Sequence, residues 1–589
     1  LDHQTKPSTK IIICFSVMFG FATLFIALAA NRLGLDHNVV WGAKRIFLAV
    51  LGIGLLLVSL ELIFQARLRP FWSKVAQTYE AIVRWMANRR IVRWAKKTRE
   101  RVSVWPWVQA LFGTPLKRLL WGMGIIIIVS SGWYITLYLN NATARDGIHT
   151  GYYEELAQAF QKGQTSLLVD PPTALLKLSD PYDYQQRQNI GGVIWDATLY
   201  HGKYYLYWGP VPALLVVAVK AFTSFPGADD KLILAFTWGY MLFSILLIGL
   251  LWWRHFRAHP VWLTVGAGLM AAFNYTMCFL VTDPNVYEAA IAGGQCFLMA
   301  GFFFLVLALG SEKPPLWSFG LAGFSLGLAV GCRLSLAPTV IVVFLLVSAW
   351  TIWSHSLQKG WPSIAALLLP LALSAAGLAW YNWVRFGSIF ETGHRFQLSS
   401  VDMSTGRTVM GFFNIPPNIY TFFLRPFQWT GKFPFLNAPA IRNNMWPSFL
   451  YIPETYLYRE AITGIIPSSP YLWLAIIPVI GFIYLIWQTI SHRTYSATLS
   501  KVTTWLNGLF IGAALVECAL LLIYTSSSMR YLNDLTPTLS ILAALGIWQI
   551  DDWASTSSVR QKWVRRLIFC LMLVSFFFSL GINLSSMLK

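Results

Sequence analysis

Apolar residues run in blocks along this chain, broken by short polar turns. Runs of about 20 apolar residues, the helix length that crosses a bilayer's hydrocarbon core, fall at roughly 11–31, 44–64, 119–140, 230–252, 261–281, 287–309, 315–333, 335–354, 362–384, 471–490, 503–525, 531–551 and 564–586. They predict an all-α polytopic membrane protein with about thirteen transmembrane helices. Two stretches interrupt the rhythm: 141–229, rich in polar and aromatic residues, and 385–470, rich in Pro, Phe, Tyr and Trp. Within the first, Tyr153, Leu156, Ala157 and Phe160 recur at i, i+3, i+4 and i+7, with Glu154, Glu155 and Gln158 on other faces. That spacing predicts an amphipathic helix lying on the membrane surface.

Composition agrees with the pattern: 56% of residues are hydrophobic and 12% charged, too little polar surface for a soluble globule of 589 residues. The formal charge of +20 clusters between apolar runs, which orients spans and attracts anionic lipid and argues against nucleic acid. Segment 67–118 carries 13 Lys and Arg against Glu80 and Glu100. It is expected inside, as a topological anchor on anionic lipid or a docking surface for a protein partner. With the first two spans it forms an accessory module, 1–118, ahead of a core at 119–589. Ile11 to Ala30 is too long for a signal-peptide core and is expected as a retained first span. The six cysteines lie in or beside apolar runs, without the spacing of a metal site or disulfide framework.

Placing 67–118 inside puts the N-terminus inside and the C-terminus outside, provided that 204–225 does not span. If it did span, Arg254, His255, Arg257 and His259 would fall outside, against the positive-inside tendency. Loops 141–229 and 385–470 then lie on one outer face with Asp146, Asp283, Glu288, Arg333 and Arg530. Asp146 sits between a span end and the amphipathic helix, where a lipid phosphate meets water; the plain alternative is a helix cap or a pair with Arg145. Arg333, in a tight turn between two apolar runs, suits phosphate, or else snorkels to headgroups. Pro284 makes capping an alternative for Asp283, whereas Glu288, one turn into an apolar helix, is costly unless it faces a polar cavity. Glu391, His394 and Arg395 are candidate substrate contacts in the second loop, or a salt-bridge cluster that stabilises it. His149 and His201 suit structural hydrogen bonds as well as sugar contacts.

Six ordered pieces carry a resemblance. These are Asp146-Gly-Ile-His-Thr-Gly-Tyr-Tyr-Glu-Glu155, Trp195-Asp-Ala-Thr-Leu-Tyr-His-Gly-Lys-Tyr-Tyr-Leu-Tyr-Trp-Gly-Pro210, Asp283-Pro-Asn-Val-Tyr-Glu288, Gly327-Leu-Ala-Val-Gly-Cys-Arg333, Tyr381-Asn-Trp-Val-Arg-Phe-Gly387 with Glu391-Thr-Gly-His-Arg-Phe396, and Arg530-Tyr-Leu-Asn-Asp534. Together they resemble bacterial GT-C glycosyltransferases of the protein mannosyltransferase and aminoarabinose transferase group. The resemblance implies a multi-pass protein of the bacterial plasma membrane that moves a sugar from a polyprenyl-phosphate donor to a cell-envelope glycan, lipid or protein on the outer face. It implies inversion, with Asp146 as general base. Substrate contacts are expected from Arg333, Glu288, Tyr152, Tyr153, His201, Lys203, Glu391, His394, Arg395 and Arg530. Asp283, with Asp146 and Glu288, is the candidate ligand for a divalent cation, Mg or Mn; members of the group differ in whether they require one. Two other classes fit a polytopic chain: a non-catalytic assembly subunit retaining the same fold, and a secondary transporter, whose two related halves are not seen here.

Overall fold

The computed structural model describes residues 20, 23–24, 27, 49, 51–56, 109, 111–142, 151–223, 228–309, 315–404, 409–442, 445–454, 456, 460–490 and 501–588. The chain divides into two compact units, 1–114 with 442–452, and 115–441 with 453–589. Asp146, His149 and nearly all of the basic segment 67–118 lie outside the described residues.

The second unit is a helical bundle. Helix α1 covers Pro115–Ala142. After a gap in the described residues come α2, Tyr152–Gln161, a two-stranded hairpin of β1 (Thr198–Tyr200) and β2 (Lys203–Tyr205), and the short α3, Val211–Lys220. Then follow α4 (Asp229–His255), α5 (Val261–Ala272), α6 (Tyr275–Thr282), α7 (Val286–Leu309) and α8 (Leu316–Cys332). Helix α9 runs from Ala337 to Phe386 and is broken at Ser356, whose φ of 63° is not helical. Beyond a long irregular segment holding β3 (Gln428–Trp429) and β4 (Leu436–Asn437) lie α10 (Ile476–Ile490), α11 (Lys501–Ile523), α12 (Thr536–Ala554) and α13 (Ser558–Met587).

Among the described residues, nine helical segments are long and apolar enough to cross a membrane. The 17-residue α8 and the 19-residue α12 occupy two further predicted spans, and the first two predicted spans lie mostly outside the described residues. Helix α3, with 10 residues, is too short to cross, since a helix rises about 1.5 Å per residue. Large apolar side chains such as Ile128, Ile341, Leu345 and Leu373 are exposed on the bundle's outside, as helices bathed in lipid require.

Polar side chains mark the two ends of the bundle. At one end His259 Nδ1 lies 2.9 Å from Asp551, which also accepts from Arg565 Nε at 2.7 Å. At the other, the Asp229 carboxylate opening α4 accepts from the backbone N–H groups of Tyr152 and Tyr153 at 3.2 and 3.1 Å. A buried acid thus satisfies orphan donors at the start of α2. Tyr153, Leu156 and Ala157 of that helix are buried against the protein.

Within the bundle, between α5 and α6, lies a buried polar network. Asn274, between α5 and α6, accepts from the Thr276 N–H and donates to Thr536 Oγ1. Thr276 Oγ1 donates to Asn533 at 2.8 Å. These bonds fix the 3-10 turn Met529–Asp534 against α6, and with it Arg530 and Asp534.

Candidate functional site

Loop 195–210 and loop 391–399 are stitched into one wall. The Asp196 N–H donates to the Leu398 carbonyl at 3.1 Å, and the Leu398 N–H to that of Ala197 at 2.9 Å. Thr198 Oγ1 reaches the Gly393 carbonyl, and Gln397 Nε2 donates to Asp196 Oδ1 at 2.8 Å. Asp196 sits at φ 58°, the left-handed region that Asp enters more readily than most residues. From behind, the Tyr152 hydroxyl donates to the Trp195 carbonyl at 2.6 Å.

This wall closes a cavity of about 220 Å³ whose lining includes Asp196, Tyr207, His394, Glu460, Arg530 and Tyr531. Arg530 stands between two acids: Nη2 is 2.7 Å from Glu460, and Nη1 is 3.4 Å from Glu288. Its guanidinium faces the rings of Tyr287 and Tyr531 at 4.7 and 5.3 Å, within cation–π range. Burial pushes the Asp196 carboxyl up to about 6, against the pull of the Gln397 hydrogen bond and the Arg530 charge. Burial also holds the His394 imidazole below its ordinary value, opposed by Glu391. Charges, hydrogen-bonding groups and aromatic faces enclose a small volume, the chemistry that a sugar ring requires.

A second cavity, of about 450 Å³, shares Tyr207, Tyr287, His394, Tyr524 and Tyr531 with the first. Its remaining walls are largely apolar, with Cys332, Leu334, Leu336, Leu520 and Leu521 among them. Arg333 lines it in the turn after α8, and Asp534 holds that guanidinium through Nε at 2.8 Å and Nη2 at 2.6 Å. Among the described residues Nη1 makes no hydrogen bond, so part of the fork remains open. Gly209 lies so close to the end of α8 that an added Cβ would come 1.9 Å from the Gly331 carbonyl oxygen.

The structure brings Arg333, His394 and Arg530 to these cavities, with Glu288 beside them through Arg530 and Tyr152 behind the wall. The others stand apart. Tyr153 is wholly buried under α2, and His201 and Lys203 are exposed at the tip of the β1–β2 hairpin. Glu391 and Arg395 pair with each other at 2.7 Å, the alternative foreseen for that cluster. Glu288 has two partners that make its burial tolerable: Arg530 at 3.4 Å, and the Asn285 N–H, which donates to Oε2 at 3.1 Å.

Asp283 ends α6, not begins α7, and is exposed beside the Asn285 side chain at 3.3 Å. No group of three His, Cys, Asp or Glu side chains suited to a metal ion occurs among the described residues. Asp283 has no such group around it among the described residues, and no step below passes through a cation. Sequence reasoning passed over Asp196, Glu460, Glu517 and Asp534. The partners of Asp196 and Asp534 lie 201 residues away along the chain, and nothing local announces them.

No protein-family model matches the chain, and no curated protein matches it. Among solved structures it is similar to the apo form of the Archaeoglobus fulgidus oligosaccharyltransferase, with 12% identity over 79% of this chain and a TM-score of 0.38. The chain spans about half of that protein, 56% of its length. A likeness at that level carries no argument about activity.

Proposed function

We propose that this chain is an integral-membrane glycosyltransferase that moves one sugar from a polyprenyl-phosphate donor to an acceptor hydroxyl on the outer face of a bacterial plasma membrane. The observation that carries this reading is the pair of adjoining cavities at one end of the bundle. The polar, aromatic one suits a sugar. The apolar one suits the first part of a lipid chain, with Arg333 at its wall for the phosphate. A transporter would place its binding groups near mid-bundle, whereas these sit where helices end.

In the proposed reaction an acceptor oxygen attacks the anomeric carbon from the face opposite the phosphate, inverting that centre. The new C–O bond forms as the sugar–phosphate C–O bond breaks, the acceptor proton passes to Asp146, and polyprenyl phosphate leaves with the bonding electron pair. Arg333 stabilises the charge that grows on the departing phosphate, since a fixed guanidinium in a water-poor site needs no reorganisation to do so. Asp196 and Arg530 hold sugar hydroxyls, as acceptor and donor.

The test is sugar transfer from a panel of polyprenyl-phosphate sugars by purified wild type and Asp146→Asn. Wild type releases polyprenyl phosphate from at least one donor, and the variant is slowed by about a hundredfold or more, the scale of a general base. Undiminished turnover in the variant removes Asp146 from the mechanism. No release from any donor overturns the reading.

A further inference from the structure

The polar cavity holds an acid that the reaction above leaves unused. Glu460 lines it together with Asp196 and Arg530, and its carboxylate has two separate tasks available. Oε1 accepts from Arg530 Nη2 at 2.7 Å, whereas Oε2 makes no hydrogen bond among the described residues and is not cut off from solvent. The side chain is 37% exposed, so that oxygen is open to whatever fills the cavity. Backbone bonds keep the acid in place: the Glu460 N–H donates to the Ser527 carbonyl at 3.2 Å, and the Met529 N–H to that of Ala461 at 3.1 Å. They tie Glu460 to the turn that carries Arg530.

The charges around it select among sugars. A guanidinium fork is the natural partner for a carboxylate on a ligand. Here both terminal nitrogens of Arg530 already face acids, Glu460 on one side and Glu288 at 3.4 Å on the other. The other titratable groups lining the cavity are Asp196, His394 and four tyrosines. Asp196 adds negative charge when ionised, and burial holds the His394 imidazole below its ordinary value, neutral at pH 7. A sugar carboxylate would therefore meet like charge in a small volume with little water to screen it. Its one alternative is to displace Glu460 and leave that acid without a countercharge. A sugar hydroxyl has neither cost and donates to Oε2.

Resting on the donor reading above, we infer that Glu460 determines the class of sugar transferred: Oε2 accepts from a sugar hydroxyl, and by holding Arg530 the same carboxylate excludes sugars that bear an acidic group, the uronic acids. The selection works by a built-in repulsion as well as by a contact.

The test measures binding of two matched pairs of lipids to the purified full chain: polyprenyl-phosphate glucose with its glucuronic acid counterpart, and polyprenyl-phosphate galactose with the galacturonic one. Polyprenyl phosphate without a sugar is the reference. The readout is the ratio of affinities within a pair, which loss of folded protein does not alter. Wild type is expected to prefer the neutral member of at least one pair by about thirtyfold or more, the scale of a like-charge contact. Glu460→Gln keeps the length and an oxygen for Arg530 without the charge. Its ratio is expected to fall within about threefold, through tighter binding of the uronic lipid. Glu460→Asp keeps the charge and is expected to retain a ratio of about tenfold or more.

A wild-type ratio near one in both pairs, or a preference for the uronic lipid, overturns the assignment. So does an E460Q ratio as large as that of wild type, or one that falls because the neutral lipid alone is lost. An E460D ratio as small as that of E460Q makes the effect one of shape and overturns it too. Wild type that binds polyprenyl phosphate and gains nothing from any of the four sugars overturns the sugar-binding role of this cavity. Absence of binding by all five lipids overturns the underlying donor reading.

Discussion

Asp196 and Arg530 show how single residues set the character of the polar cavity. Asp196 has a folded-state value of about 6 against an ordinary 3.8, so the folded protein holds its proton to higher pH than the unfolded chain. Its contribution to stability is complete below 3.8 and is lost as pH rises to about 6. Asp196→Asn, whose side-chain oxygen can still accept from Gln397, is therefore expected to gain on wild type between those values, by on the order of 2 kcal/mol, and to run parallel above them. Thermal unfolding of both proteins in detergent across that range checks this; a constant difference counts against a buried, titrating Asp196.

Arg530 makes a different prediction. Glu288 is fully buried, and Arg530→Met strips it of its countercharge, at a cost of about 3 kcal/mol. Adding Glu288→Gln to that variant is expected to recover most of the loss, because the neutral amide needs no cation. If the double variant melts no higher than Arg530→Met alone, the pair does not account for the burial of Glu288.

Residues of this kind were only partly legible in the sequence. Arg333 and Arg530 stood out as lone cations at the ends of apolar runs, and Glu288 as an acid one turn into an apolar helix. Asp196 had no such sign, since its burial depends on Gln397 and Leu398 from a distant loop.

At the scale of elements, length and apolarity were enough to foresee the nine helical segments that, among the described residues, are long and apolar enough to cross a membrane, because a span must satisfy its backbone internally. The break at Ser356 divides α9 where the apolar runs 335–354 and 362–384 were separate in the sequence. The irregular segment after α9 was opaque, because its conformation comes from tertiary bonds. Asn418 is an example: its amide caps the end of α11, donating to the carbonyls of Leu522 and Tyr524 at 2.8 and 2.6 Å. The start of α3 likewise depends on a contact that no local pattern gives. With the Gly209 Cα against the Gly331 carbonyl, Gly209→Ala is expected to push α3 from α8, displace the Arg333 turn and cost about 2 kcal/mol. Lower thermal stability together with weaker polyprenyl-phosphate binding is the expected pair of readouts; an unchanged melting temperature contradicts that close approach.

For the whole molecule, two adjoining volumes of different chemistry share five lining residues, and the proposed donor is a molecule of the same two parts. The sequence could foresee that Arg333, His394, Glu288 and Arg530 share a face, because topology follows from charge bias. It could not show that their spaces adjoin, since the shared wall is built from Tyr207, Tyr287, His394, Tyr524 and Tyr531, drawn from four distant segments.

The central claim is that one donor occupies both volumes. It is tested most directly by photo-cross-linking the full chain in membranes with a polyprenyl-phosphate sugar that carries its reactive group on the first isoprene unit. Labelling is expected on 334–338 and 517–524, and to be lost on competition with unmodified polyprenyl phosphate. Labelling confined to the lipid-facing positions of α1 and α9, such as Ile128 and Leu345, and indifferent to competitor, would contradict it.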